Sequence, residues 1–442
     1  MIRITRRFNP KLIVISFSLP FFSIRILESL LSAILYSILF SYGVPFQVVS
    51  IFYIGIRILV IAILPLLGYF SDRNYFLTKR LGRRFLPVIS SGLLLSFIFI
   101  IASLPFYFNI FNLPYYLLLI FLFYLIYSFY TMNYSALLIS KFRVFKERLV
   151  ITGLTEFLST LGFILFFLYL PFLFNDFVIL LFIAAGVFFI TILVGIPGLI
   201  EEKDLINTYF SPNHQPQEWF FKDFFKRFSI TFRQKNFLLL LIRWIATAFF
   251  NFFFLAFLPL YFLRSFNASA FTILILLGTY NICLIIAIPL SIILSRFHRY
   301  LKIWIISGFG LGLGIVIFPL LAVSLISAQI MMGILGFIFG LGSVPSIPIV
   351  GDVFDESTVI NRKRSDGFFF GILNFFSGNI FLLSRSPSII NVPLLTYLES
   401  IVLTCIIPGA ILIISMIVFV VLYDLNPQKV RVVQEKLQEL QL

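Results

Sequence analysis

Four charged side chains interrupt long apolar runs of the sequence, where a charge is costly and usually serves a function. They are Arg25, Glu28, Arg57 and Glu156. Arg25 and Glu28 are three residues apart, which places them on one face of a helix. Two guanidinium groups and two carboxyl groups can together bind an anionic group, or take up and release a proton. The alternative is a permanently paired cluster that only fixes the packing of the helices.

Aromatic and amide side chains within other apolar runs are further candidates for binding a polar solute. Aromatic rings can stack on a sugar, and amide or hydroxyl groups can bond its hydroxyls, although helix packing explains such residues about as well. The candidates are Tyr127, Tyr130, Asn133, Tyr280, Asn281 and Asn374.

No constellation of residues for catalysis is visible in the sequence. It has no nucleophile–base spacing, no glycine-rich phosphate loop and no metal-ligand pattern. Its two cysteines, Cys283 and Cys405, lie inside apolar runs, and its two histidines, His214 and His298, are far apart. We therefore expect no enzyme activity, no metal ion and no cofactor.

The composition indicates a polytopic α-helical membrane protein. Of the 442 residues, 61% are hydrophobic and only 12% are charged, and the mean hydropathy is +1.08. A soluble domain has about 45–50% apolar and about 25% charged residues. A membrane-spanning helix needs about 20 mainly apolar residues. Twelve segments meet this requirement: 12–41, 46–71, 85–108, 113–139, 149–174, 177–199, 237–263, 270–294, 301–325, 328–350, 367–384 and 394–423.

The positions of the cations predict the orientation of the chain. Most of the 33 Lys and Arg residues fall in connections that share one side with the N-terminus. Cytoplasmic connections of membrane proteins are enriched in Lys and Arg, so we expect both termini in the cytoplasm and a multi-pass protein of the cell membrane. This asymmetry accounts for the net charge of +15 without a nucleic-acid partner. The expected partners are the lipid bilayer and a small solute, and we expect a monomer. Arg243 and Glu399 lie nearer the ends of their spans, where long side chains can extend to the membrane boundary.

The longest polar connection divides the predicted spans into two groups of six. The predicted organisation is therefore an N-terminal half (1–200), a cytoplasmic linker (201–236), a C-terminal half (237–424) and a cytoplasmic tail (425–442). The linker contains an amphipathic segment that we expect to lie on the inner leaflet. Its predicted apolar face carries Trp219, Phe220, Phe224, Phe225 and Phe228, and its polar face Lys222, Asp223, Lys226 and Arg227.

A conspicuous motif ends the second predicted span. Gly68 lacks a side chain, which permits close approach of another helix. Asp72 lies where the positive N-terminus of a helix starting on the same side, such as the eleventh span, would be a favourable neighbour. Nearby arginines could pair with Asp352, Asp355 or Glu356, forming a breakable latch. The motif consists of Gly68, Asp72 and Arg73, followed by Gly82, Arg83 and Arg84.

This motif resembles the signature loop of the major facilitator superfamily, which implies twelve helices in two six-helix pseudo-repeats. A second segment resembles the glycoside–pentoside–hexuronide:cation symporters, the melibiose-permease-like branch. There an acidic run precedes a basic cluster and a Gly-aromatic helix entry. The matching residues are Asp352-Val353-Phe354-Asp355, Arg362-Lys363-Arg364 and Gly367-Phe368.

One departure from this branch concerns the driving ion. Its members typically carry two aspartates in the second span that help to bind the coupling cation. This chain has Val60 and Leu64 at those positions, although Arg57 and Pro65 are retained. Aliphatic side chains offer no oxygen ligands, so sodium coupling is in question. Protons acting through Glu28 or Glu156, or no coupling at all, become the alternatives.

The resemblance implies transport of a small polar solute, either a sugar or glycoside or an organic anion, by alternating access. Two arginines within the spans favour an anionic substrate. The alternatives are an efflux or lipid-moving facilitator and, from a different class, a non-transporting membrane sensor or scaffold. A latch at Asp72 argues against a static scaffold, which has no need of one.

Overall fold

The computed structural model describes residues 10–41, 46–73, 81–107, 113–173, 177–201, 206, 220–295, 300–389 and 401–439. Within these ranges the chain is helical and contains no strand. Two π-helical segments occur, Phe250–Leu255 between α8 and α9 and Val402–Ile406 before α14. The helices are α1 (Pro10–Ser41), α2 (Phe46–Arg73), α3 (Phe85–Tyr107), α4 (Leu113–Lys141), α5 (Phe145–Leu173), α6 (Phe177–Leu199), α7 (Phe220–Phe232), α8 (Lys235–Phe249), α9 (Ala256–Phe266), α10 (Ala270–Ser295), α11 (Tyr300–Leu321), α12 (Leu325–Asn361), α13 (Asp366–Ile389), α14 (Ile407–Leu422) and α15 (Pro427–Glu439).

The predicted all-helical membrane architecture is confirmed. Among the described residues, 11 helices are long and apolar enough to cross a membrane. The eleventh predicted span corresponds to α13, which is not among these 11 helices. The last corresponds to the π-helical turn and α14, with residues 394–400 outside the described part of the chain.

The largest difference from the predicted boundaries is at the end of α12. The apolar run stops near residue 350, but the helix continues to Asn361 and ends where Arg362 adopts a positive φ of 52°. Asp352 and Asp355 therefore lie on a helix and not in a loop, because the end of an apolar run is not a helix-stop signal.

The chain forms two compact units. The first comprises residues 1–229, 357–375 and 434–442, and the second comprises 230–356 and 376–433. In the first unit α1 packs against α5 and α6, α3 against α4 and α6, and α2 against α4. In the second unit α14 packs against α8 and α11. The division into halves, linker and tail that the sequence suggests stays a prediction.

Candidate functional site

In the first unit, the end of α2 meets the start of α13 in a buried polar group that we call the Asp72 cluster. Asp72 and Arg84 have side chains that are 1% and 0% exposed. A buried charge is tolerated only when it is paired and hydrogen-bonded, and both residues meet that condition. The cluster consists of Gly68, Asp72, Arg83, Arg84, Gly367 and Phe368.

The Asp72 carboxylate accepts hydrogen bonds from the first turn of α13. The backbone N–H of Gly367 donates to Oδ1 at 3.1 Å, and that of Phe368 donates to Oδ2 at 2.8 Å. These N–H groups have no partner within their own helix, and the N-terminus of a helix carries a partial positive charge. Asp72 thus caps a helix that lies almost 300 residues further along the chain.

Two consecutive arginines complete the coordination of Asp72. Arg84 Nη2 donates to Oδ1 at 2.6 Å, while Arg83 Nη1 donates to the Asp72 carbonyl oxygen at 3.3 Å. Arg84 also donates through Nη1 to Ser71 Oγ at 3.2 Å, and Ser71 is hydrogen-bonded to Asn133. Asn133, a candidate for binding the solute, is fully buried beside this cluster, and a role in solute binding stays a prediction.

Glycines bring the two helices into backbone contact. A Cβ atom at Gly68 would collide with the carbonyl oxygen of Gly367, and one at Gly371 would lie 2.7 Å from the carbonyl oxygen of Leu64. Gly367 and Gly371 are four residues apart, the small-residue spacing that permits close helix packing in membranes. Gly371 was not among the predicted site residues, although this spacing was visible in the sequence.

Gly82 is positioned by the connection after α6. It has φ +109°, a conformation that favours glycine, and a Cβ there would lie 2.6 Å from the side chain of Glu201. The Glu201 carboxylate in turn accepts the backbone N–H of Arg83 at 2.9 Å. Glu201 thus fixes the turn that directs Arg83 and Arg84 to Asp72, a role that the sequence did not indicate.

The C-terminal end of α4 binds two arginines, just as the N-terminal end of α13 binds the Asp72 carboxylate. Arg148 and Arg364 donate to the Ile139 carbonyl oxygen at 3.1 and 3.2 Å, and a helix C-terminus carries a partial negative charge. Arg364 also donates through Nε to Asp366, at 2.7 Å. These partners were missed because a single sequence does not show which helix end lies beside which charge.

Two of the remaining predicted latch residues, Arg73 and Asp352, are hydrogen-bonded to tyrosines. Arg73 Nη1 donates to the Tyr69 hydroxyl at 2.9 Å in the first unit. In the second unit, the Tyr300 hydroxyl donates to Asp352 Oδ2 at 2.9 Å, and Asp355 is buried on the same helix as Asp352. Pairing of Asp352 or Asp355 with the loop arginines stays a prediction.

Helix α7 packs on the end of α2, and this corrects the predicted position of Asp223. Asp223, expected on the outward polar face, is buried and accepts a hydrogen bond from the Tyr69 hydroxyl at 2.7 Å. Phe225, predicted on the apolar face that lies on the leaflet, is 65% exposed. Burial alone would raise the pKa of Asp223, but the hydrogen bonds from Tyr69 and Arg227 hold it below its usual value. Trp219 lies outside the described residues.

A second group, the Arg25 cluster, lies within the spans of the first unit. Arg25 Nη1 is 2.7 Å from Glu28 Oε2, and Arg25 Nε donates to Ser159 Oγ at 2.9 Å. Glu156, one turn before Ser159 on α5, interacts electrostatically with Arg25. The cluster consists of Arg25, Glu28, Arg57, Tyr127 and Glu156.

Two tyrosines of α4 connect Arg57 to the ion pair. The Arg57 guanidinium lies over the Tyr124 ring, 4.4 Å from its centre, which is a favourable cation–π distance. The Tyr127 hydroxyl is hydrogen-bonded to Glu28. The structure therefore brings together the four charged residues singled out in the sequence, together with Tyr127.

The other predicted solute contacts are less accessible. Tyr130 is buried between Tyr134 and Phe188, with ring centres 5.3 and 5.7 Å away, which favours a packing role. In the second unit, Tyr280 is also buried, and Asn281 donates to the Leu277 carbonyl oxygen at 2.8 Å. Asn374 lies on α13, half-buried.

The side chain of Arg243 was expected to extend to the membrane boundary, but it does not. It is buried, and its guanidinium lies 5.2 Å from the centre of the Trp304 ring. Nη1 donates at 2.6 Å to Thr247, one turn further from the Lys235 end of α8. Among the described residues no carboxylate is paired with it. The second residue for which this was predicted, Glu399, lies outside the described residues.

We expect Arg243→Met to leave stability unchanged or to increase it. A buried cation without a counter-charge bears a desolvation penalty, and well-packed apolar replacements of buried ions often stabilise by about 1–4 kcal/mol. The measurement is thermal unfolding of the purified protein. Arg84→Met is the matched comparison, because it leaves Asp72 without its arginine and should be clearly destabilised. Equal losses in the two variants would contradict this interpretation.

No group of three or more potential metal-ligating side chains occurs in the described part of the chain. The two α2 positions at which the resembled symporters carry aspartates are packing positions here. Val60 is 0% exposed and Leu64 is 4% exposed. They offer neither charge nor oxygen to a cation.

Comparisons with known proteins agree with this architecture. The family model described as MFS/sugar transport protein matches residues 16–427. No curated protein matched the sequence. The solved structure of the proton:xylose symporter XylE, bound to 6-bromo-6-deoxy-D-glucose, superposes with a TM-score of 0.67 at 10% identity, covering 96% of this chain and 98% of the other. That of the human organic anion transporter MFSD10 (TETRAN) gives 0.66 at 12% identity, covering 93% and 99%.

These two structural likenesses show a shared fold, and the family match extends over nearly the whole chain. The predicted major facilitator architecture is therefore confirmed. The chain belongs to the MFS/sugar transport protein family of the major facilitator superfamily, whose members are membrane transporters and not enzymes.

Proposed function

We propose that the chain carries a small polar solute, a sugar or glycoside or an organic anion, across the plasma membrane by alternating access. The Arg25 cluster would bind the solute and any coupling proton, and the Asp72 cluster would act as a latch on the cytoplasmic side. Both termini would lie in the cytoplasm, as the distribution of cations predicts, and the protein would work as a monomer.

The observation that carries this proposal is the accessibility of the Arg25–Glu28 pair. Arg25 lies at the middle of α1, and the two side chains are 49% and 37% exposed. Charged groups at this depth avoid lipid and face a bundle interior or a water-filled cavity. An ion pair that served packing alone would be expected to be buried, so the exposure favours a site that a solute can reach.

The chemistry of the cluster suggests the class of solute and the coupling. Arg25 and Arg57 can bind a carboxylate or several hydroxyl groups through their fixed arrays of N–H donors, and Tyr124 and Tyr127 offer aromatic faces. Because Val60 and Leu64 offer a sodium ion no ligand, we propose transport without sodium coupling. Glu28 and Glu156 are the groups that would bind a coupling proton.

The test of the solute site is flux in proteoliposomes over a panel of sugars, glycosides, sugar acids and organic anions. For the solute carried best, we expect Arg25→Gln to reduce flux about 10- to 100-fold, because a hydrogen bond from a charged group contributes about 1.5–3 kcal/mol. Arg431→Gln, an exposed position on α15, is the control and should retain full flux. Wild-type flux in Arg25→Gln would contradict the proposed site.

Coupling is tested in the same vesicles with imposed ion gradients. An inward proton gradient should accelerate uptake by the wild type. If Glu28 binds the coupling proton, Glu28→Gln should abolish this acceleration, and if Glu156 binds it, Glu156→Gln should do so. A sodium gradient should have no effect. Flux that changes with neither gradient would mean facilitated diffusion. Acceleration by a sodium gradient would refute the argument that Val60 and Leu64 leave sodium without a ligand.

A further inference from the structure

Helix α7 packs against the end of the α2 span. Tyr69 and Arg73 belong to the last turn of the α2 span, which covers the 20 residues from Ile54 to Arg73. Arg73 is the last residue of both α2 and its apolar span, so this end of the helix is expected near the membrane boundary. Because Asp223 is bonded to Tyr69, and the Phe220 ring packs 5.1 Å from the Tyr69 ring, α7 sits at the boundary between lipid and water.

The side of α7 that faces away from the protein combines aromatic rings with cations. Phe221 is 50% exposed and Phe225 is 65% exposed, and Lys222 and Lys226 are also exposed. These four residues are spaced i, i+1, i+4 and i+5, so they share one face of the helix. We call this face the outer face of α7.

The inner face of α7 holds the only carboxylate of the helix. Asp223 is turned toward the protein. There it accepts hydrogen bonds from the Tyr69 hydroxyl and from Arg227 Nε, the second at 3.0 Å. Arg227 in turn donates to Ser365 Oγ at 2.7 Å. The outer face itself carries two lysines and no carboxylate.

We propose that the outer face of α7 binds an anionic lipid surface. Phe221 and Phe225 insert among the lipid chains at the headgroup boundary, and Lys222 and Lys226 contact the lipid phosphates. Aromatic residues with lysines on a surface helix are the pattern of interfacial binding, and each basic residue near an anionic leaflet strengthens it. This surface is separate from the Arg25 cluster and does not depend on the proposed solute.

The test places a spin label on the outer face of the full-length protein. In a Cys283→Ala, Cys405→Ala background, Phe225→Cys is labelled, and the protein is placed in nanodiscs of phosphatidylcholine with increasing phosphatidylglycerol. Collision rates of the label with oxygen and with a water-soluble nickel complex report its immersion in lipid. We expect the label to become immersed as phosphatidylglycerol increases, whereas a label at Gln438→Cys, an exposed position on α15, stays in water.

A charge variant separates lipid recognition from simple immersion. Lys222→Gln should raise the fraction of phosphatidylglycerol needed for half-immersion about fivefold, the contribution expected of one cation near the surface. Lys436→Gln, an exposed position on α15, should not change it. Immersion that is independent of phosphatidylglycerol, or a label at position 225 as exposed to nickel as the one at 438 throughout, would overturn the proposal. The second outcome would leave the face open to a soluble protein.

Discussion

Asp72→Asn should destabilise the protein by about 3–5 kcal/mol, the cost of removing one member of a buried ion pair. The asparagine amide can accept through one oxygen only, so one N–H of Gly367 or Phe368 loses its acceptor. Arg84, which is fully buried, is left without a counter-charge. Thermal unfolding of the purified protein measures the stability, and flux in proteoliposomes should fall as well. Unchanged flux would show that Asp72 is not part of a gate.

A double-mutant cycle separates the ion pair from the general effect of altering a buried site. Asp72→Asn combined with Arg84→Met removes both charges, so we expect the double variant to be more stable than the sum of the single losses predicts. Lys429→Gln is the control, because Lys429 and Asp424 form an exposed pair in the second unit. Exposed pairs contribute at most about 1 kcal/mol. Strict additivity of the Asp72 and Arg84 losses would rule out their coupling.

Gly68→Ala should cost about 3 kcal/mol, at the upper end for an overpacked site. The added methyl group would meet the Gly367 carbonyl group and the Phe368 Cα, whose distance would be 3.0 Å. These are backbone atoms, so no side chain can rotate away, and α2 and α13 must separate. Separation lengthens the bonds from Asp72 to the first turn of α13. We expect a lower melting temperature and reduced flux.

The same helix supplies the control for this substitution. A Cβ at Gly55 would meet no atom within 4 Å, and alanine is a better helix former than glycine by about 1 kcal/mol. Gly55→Ala should therefore keep full flux and equal or slightly higher stability. If Gly68→Ala were as well tolerated as Gly55→Ala, close packing of α2 on α13 would not be needed.

Much of the fold follows from properties of the sequence that act locally. Apolar length predicts the spans, and the polarity of helices predicts that Asp72 favours a helix N-terminus on the same side. The position of Arg25 and Glu28 on one face follows from their spacing. Each of these inferences needs only the period of a helix, the cost of a charge in lipid, or the direction of a helix dipole.

The missed features depend on what lies opposite a residue. A helical projection of α7 shows that it has two chemical faces, but the partner of each face is set by the tertiary fold. Asp223 turned inward because Tyr69 and Arg227 offer it hydrogen bonds. An amide in an apolar run, such as that of Asn133, can bond a solute or a buried serine, and its position in the sequence does not decide between the two.

The cap that Asp72 provides has a consequence for the amide protons of α13. Whenever the carboxylate moves away, the N–H groups of Gly367 and Phe368 lose their acceptors and become free to exchange with solvent. Their hydrogen-exchange rates should therefore report the fraction of time that the two helices are apart. A solute that shifts the transporter between its states would change those two exchange rates together. Hydrogen exchange would then report the shift without a flux assay or a spin label.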